Sequence, residues 1–120
     1  DDGIVFGLKD NNKASYWEDR NIYYYFFFLG HDGCLGLGKV SNTKWIPLYS
    51  ESVGSFDASK TYNLKVILRS NLIIVYYNDV LKFKFVDDNF TEGTKFGVRT
   101  GKSGVTFSSL YATSEYEYGD

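Results

Sequence analysis

Residues Ile22 to Leu29 form an unbroken run of eight apolar and aromatic residues, closed at once by Gly30-His31-Asp32-Gly33. A run of this length, rich in Tyr and Phe and ended by a tight turn, reads as a β-strand covered on both faces. It falls well short of the roughly 20 residues that a spanning helix needs, so no membrane insertion is expected. The turn returns the chain into Cys34 to Val40, where Leu35 and Leu37 alternate with Gly36 and Gly38. Glycines at alternate strand positions leave one face bare, and another layer can approach closely there.

The same grammar continues in both directions. Gly3 to Leu8 is an apolar strand that breaks at Lys9-Asp10-Asn11-Asn12, where Asp and Asn side chains can bond their own backbone. Lys44 to Tyr49 alternates, but Pro47 lacks an amide donor, which predicts a short strand at an edge or with a bulge. From Tyr62 the period of two is clearest: Tyr62, Leu64, Val66 and Leu68 form a core face, and Ile67 is the one apolar residue on the other. Leu72 to Tyr77 turns through Asn78-Asp79 into Leu81, Phe83 and Phe85, a second hairpin. Phe96 and Val98, then Val105 and Phe107 beyond Gly101-Lys102-Ser103-Gly104, bring the expected strands to nine.

No stretch of ten or more residues carries a helical apolar stripe with a capping signature, and eleven Tyr, ten Phe and twelve Gly without Met favour pleated surfaces. The fold class expected is therefore all-β, two packed antiparallel sheets in a jelly-roll sandwich. With 120 residues, one domain over residues 1–113 is expected, followed by an acidic tail or linker at 114–120. Gly3 to Leu8 is already a core-type strand with two residues before it, so the chain is expected to start mid-fold. A neighbouring domain or partner chain should then cover the first strand's open edge.

Charge and cysteine content exclude several functions. A formal net charge of −2, with scattered basic residues, offers no field to gather phosphates, so nucleic acid is not an expected partner. Cys34 is the single cysteine, so no intrachain disulfide and no thiolate metal site can form. His31, the single histidine, sits in a turn without a nucleophile placed beside it, and a sheet position suits Cys34 as a small packing residue. Glu115, Glu117 and Asp120 do not reproduce the paired carboxylates of a glycosidase strand. Calcium ligands could come from Asp10-Asn11-Asn12 or Asp87-Asp88-Asn89, though neither forms an EF-hand-like loop and no other cofactor is expected.

Taken together, Gly3-Ile4-Val5-Phe6, Ile22 to Phe26, Leu37-Gly38-Lys39-Val40, Lys44-Trp45, Tyr62 to Val66, Ile73 to Asp79 and Phe96-Gly97-Val98-Arg99 resemble the concanavalin-A-like sandwich. Within it, the series is similar to the levanase-type lectin-like modules. The resemblance spans roughly Gly3 to Tyr111 and implies a non-catalytic carbohydrate-binding module of a larger extracellular or cell-surface protein. Sugars are held by rings stacking on C–H faces and by charged or amide groups that fix hydroxyls. The Tyr16-Trp17-Glu18-Asp19-Arg20 segment supplies both kinds of group within a few residues, so Trp17, Glu18 and Arg20 are the expected ligand-binding residues. Arg99 and Tyr76 are possible supports, with Arg69 and Trp45 further outward-facing candidates. The alternative is a structural or protein–protein interaction domain that has kept the sandwich and lost the sugar site. It draws on Gly7 and Leu8, which follow Phe6 where many relatives of this type carry Arg.

Overall fold

The computed structural model describes residues 2–8, 23–41, 44–57, 59–69, 71–87 and 95–100. These residues form eight strands: β1 (Asp2–Leu8), β2 (Tyr23–Leu29), β3 (Cys34–Ser41), β4 (Lys44–Ser52), β5 (Leu64–Arg69), β6 (Leu72–Tyr77), β7 (Val80–Val86) and β8 (Lys95–Thr100). There is no helix among the described residues. A five-stranded sheet in the order β4-β3-β2-β1-β8 packs against a three-stranded sheet in the order β5-β6-β7. Every strand pair is antiparallel. The architecture is thus all-β and sandwich-like; Val105 to Phe107, the ninth strand expected, lies outside the described residues.

Alternation along each strand decides which side chains meet. Phe6, Tyr25, Phe27, Leu35 and Leu37 from the larger sheet close on Ile73 and Val75 from the smaller one, forming the core between the layers. The intervening residues of β2 point the other way, where Tyr24 and Phe26 are buried with Val40 in a second cluster. The continuous apolar run of β2 is therefore covered on both faces, as its composition demands. Two ion pairs also tie the layers: Lys39 on β3 to Asp87 just after β7 at 2.8 Å, and Lys82 on β7 to Glu51 on β4 at 3.1 Å. Both turns expected between strands are present. Asn78 and Asp79 have φ of 48° and 68°, the positive values that a two-residue hairpin with matching twist requires.

Four expectations are corrected by the structure. β4 is not short: it runs nine residues, and Pro47 is accommodated because the strand is an edge with a bulge. The pairing steps from Leu37↔Tyr49 to Gly38↔Pro47, and the extra residue, Leu48, packs inward on the core. The strand begun at Tyr62 starts instead at Leu64. Leu68 shares the inward alternation of Leu64 and Val66 yet is 38% exposed: it lies on β5, an edge of the three-stranded sheet, one residue from the end of that strand. Finally, β1 has no open edge: it lies between β2 and β8 and pairs with both. Among the described strands it is β8 that stands at the edge of the larger sheet.

Candidate functional site

The face of the five-stranded sheet that points away from the smaller sheet carries an aromatic array that is buried at Tyr24 and Phe26 and opens to solvent at Trp45. Its floor is set by sequence: Gly36 and Gly38 on β3 alternate with the inward Leu35 and Leu37, so the outward side of that strand has no side chains there. Neighbouring rings lie down in the space. A Cβ at Gly36 would overlap the Phe28 ring, and one at Gly38 would overlap the indole of Trp45. Phe26 and Phe28 stack at 5.0 Å between centroids, and Phe28 meets Trp45 at 5.9 Å in a tilted arrangement. On the opposite flank, the Arg99 guanidinium sits 5.1 Å above the Phe26 ring, a cation–π geometry. The result is a strip running Arg99, Phe26, Phe28, Trp45 across the sheet. Trp45 remains 45% exposed at its open end.

The strip has hydroxyl neighbours. Ser50 is in register with Gly36 on the same face and is exposed. The face thus combines a half-exposed indole reaching over a glycine position with a hydroxyl and a guanidinium elsewhere on the same sheet side.

The residues singled out in the sequence are distributed unevenly. Trp17, Glu18 and Arg20 lie outside the described residues. Arg99 and Tyr76 are both outward, as expected, but on opposite sides of the molecule. Arg99 pairs with Gly3 on the larger sheet, whereas Tyr76 pairs with Lys65 on the smaller, where Lys65 Nζ lies 4.5 Å from the Tyr76 ring. One ligand ring cannot use both. The structure instead places Arg99 and Trp45 on one face, at its opposite flanks with Phe26 and Phe28 between them, a relation invisible in the sequence. The detectable signal was the alternation of Gly36 and Gly38, which announced a bare strip on β3 without saying whose side chains would fill it.

Other chemistry-bearing groups serve packing and joining. His31 Nε2 lies 2.9 Å from Asp2 Oδ2, which links the β2–β3 turn to the start of β1. Its ring stacks on Phe56 at 4.7 Å, and Phe56 continues to Tyr62 at 5.4 Å. Cys34 is half-buried at the head of β3, where its amide donates to Asp32 Oδ1 at 3.0 Å. Among the described residues there is no group of three or more His, Cys, Asp or Glu able to hold a metal ion. Of the two segments considered for calcium, only Asp87 is described, and it is engaged by Lys39. No helix among the described residues is long and apolar enough to cross a membrane.

The most strongly shifted group lies at the junction of the sheets. The Tyr49 hydroxyl donates to Glu51 Oε1, and Lys82 donates to the other carboxylate oxygen. Burial foremost, then the hydrogen bond to Glu51 and that residue's charge, push the Tyr49 phenol from 10.0 up to about 12. The same bond, with help from Lys82, holds the Glu51 carboxyl below its usual range. Tyr77 is raised too, by burial and by Tyr62. A phenol whose folded pKa exceeds its unfolded value keeps its full contribution to stability below the unfolded pKa and loses it as pH rises through the folded one. Urea unfolding followed across pH should therefore show stability falling between about pH 10 and 12. Tyr49→Phe should make that fall shallower; an unchanged slope would show that Tyr49 does not carry it.

No family model, curated protein or solved structure matches the chain.

Proposed function

We propose that this chain is a non-catalytic, lectin-like carbohydrate-binding module of a larger extracellular or cell-surface protein, built on a concanavalin-A-like jelly roll. The observation that supports this reading best is the exposed indole of Trp45, whose benzo edge reaches over Gly38 beside Phe28 on an outward sheet face. The resemblance of the strand motifs to levanase-type modules supports the fold part of this reading, and the Trp17-Glu18-Arg20 segment is a second place where such a ligand could be held. A shallow site that buries one sugar ring gains a few kcal/mol after ordering costs, so dissociation constants of roughly 10 μM to 1 mM are expected.

A glycan array that includes fructans tests the proposal. Trp45→Ala should abolish binding with little change in melting temperature, since the ring is an exposed end of the strip. Loss of binding in Trp17→Ala but not in Trp45→Ala would move the site to the other segment. Failure of every glycan to bind the unaltered chain would sink the reading. Being non-catalytic, the module should turn over no fructan or glucan; hydrolysis abolished by one point substitution would show otherwise.

A protein-interaction domain is the second reading, and a particular observation favours it. Phe96 and Val98 on β8, the edge of the larger sheet among the described strands, face the side of the smaller sheet yet remain substantially exposed. Apolar edge strands are normally covered, and a neighbouring domain or chain would do so here.

A further inference from the structure

The outward face of the three-stranded sheet is chemically unlike the aromatic strip on the other side. Register places its side chains in rows across β5, β6 and β7. The central row is Ile67, Ile74 and Lys84; on one side of it lies Arg69, Leu72 and Val86, and on the other Lys65, Tyr76 and Leu81. The middle of the face is aliphatic and closed, with Ile74 only 3% exposed. Its β7 margin is aliphatic and open, with Leu81 at 52% and Val86 at 60% exposure. Every charged side chain in these rows is a cation, in a chain whose net charge is −2. The basic residues of β5 and β7 are thus gathered around an apolar centre, and no carboxylate of β5, β6 or β7 stands in these rows.

From this arrangement we infer that the outer face of the β5-β6-β7 sheet is a docking surface for an acidic protein segment that presents apolar or aromatic side chains between its carboxylates. Charge complementarity selects the sign of the partner, and the rim of Lys65 and Lys84 would meet its carboxylates while Leu81 and Val86 cover its apolar groups. A polypeptide fits better than the other anionic partners. Sugar hydroxyls need hydrogen-bonding groups that Ile67, Leu72 and Ile74 do not have. Basic patches that hold an anionic membrane commonly gather four to eight Lys or Arg, and a net negative chain is repelled by such a surface at longer range. This surface lies on the opposite side of the molecule from Trp45 and does not depend on the sugar reading.

Retention of the whole chain on an immobilised random copolymer of glutamate and tyrosine is the test, with a lysine–tyrosine copolymer, heparin and phosphatidylserine-containing vesicles alongside. The chain should bind the glutamate–tyrosine copolymer and ignore the lysine–tyrosine one, and binding should weaken as salt is raised. Lys65→Glu with Lys84→Glu should weaken it by at least about tenfold, since rim charges of the wrong sign oppose association. Leu81→Ser should weaken it as well, which a purely electrostatic attraction would not show. Both lysines are exposed, so the variants should melt as the unaltered chain does; if the double glutamate variant unfolds, Lys65→Gln with Lys84→Gln carries the same comparison. Undiminished retention of the charge variants would overturn the inference, as would a lack of effect of Leu81→Ser. Heparin or vesicles bound as tightly as the glutamate–tyrosine copolymer would also overturn it.

Discussion

Phe27→Ala is expected to lower the free energy of unfolding by about 3–5 kcal/mol, the range for removing a large aromatic ring from a packed core. Phe27 is fully buried at the centre of β2, among Phe6, Tyr25, Leu35 and Leu37 of its own sheet and Ile73 and Val75 of the facing one. Both layers are regular sheets held by their ladders, so they can collapse only partly into the space left behind, and the cavity adds to the lost transfer free energy. For a domain whose total stability is on the order of 5–15 kcal/mol, a loss of this size removes a large share of it. Melting temperature should drop by roughly 12–20 °C, at about 4 °C per kcal/mol for a chain of this size. Chemical denaturation of both proteins measures the difference directly. A loss below about 1 kcal/mol would mean that the two sheets do not close on this ring.

The second large effect is expected at a turn. Gly33 has a φ of 85°, a left-handed conformation that costs most side chains about 1–2 kcal/mol. A Cβ there would also overlap the carbonyl oxygen of Gly54. Neither obstacle is a flexible side chain, so the backbone itself must shift. That shift would strain two bonds within the turn, Gly30 N–H to the Cys34 carbonyl at 2.8 Å and Gly33 N–H to the Gly30 carbonyl at 3.0 Å, and the one that locks the turn to the segment after β4, Val53 N–H to the Gly33 carbonyl at 2.9 Å. Gly33→Ala should therefore cost about 2–4 kcal/mol, combining left-handed strain with at least one weakened buried hydrogen bond. Gly97→Ala on β8 is the control. A Cβ at Gly97 meets nothing within 4 Å, and the change should stay within about 0.5 kcal/mol of neutral. Equal melting temperatures for the two variants would remove the geometric argument for Gly33.

Prolines, glycines and alternation made much of the fold legible before any coordinates. Pro47 predicted an edge or a bulge and occurs at both, because a residue without an amide donor can be tolerated only where the ladder does not need one. Its strand was nonetheless longer than expected: one missing donor interrupts the ladder locally, and the bulge at Leu48 restores pairing on either side. Leu68 shows the opposite limit. Its inward direction is written in the alternation with Leu64 and Val66, but its exposure goes with its place on an edge strand of the smaller sheet, which strand order sets rather than local sequence.

The candidate site divides along the same line. Alternation along the chain determines on its own that Leu35 and Leu37 share one face of β3 and that its other face is a bare glycine strip, whereas the continuously apolar runs of β2 and β6 do not tell Phe26 from Phe27 or Tyr76 from Tyr77. Which outward residues share a face was decided only by tertiary structure. The order β4-β3-β2-β1-β8 brings Arg99 to Phe26 and Phe28 to Trp45, and assigning β6 to the other sheet sends Tyr76 to the far side. Strand order follows from long-range pairing between segments distant in sequence, and period-two patterns look alike in every strand, so no local reading could have told Tyr76 from Trp45 as a neighbour for Arg99.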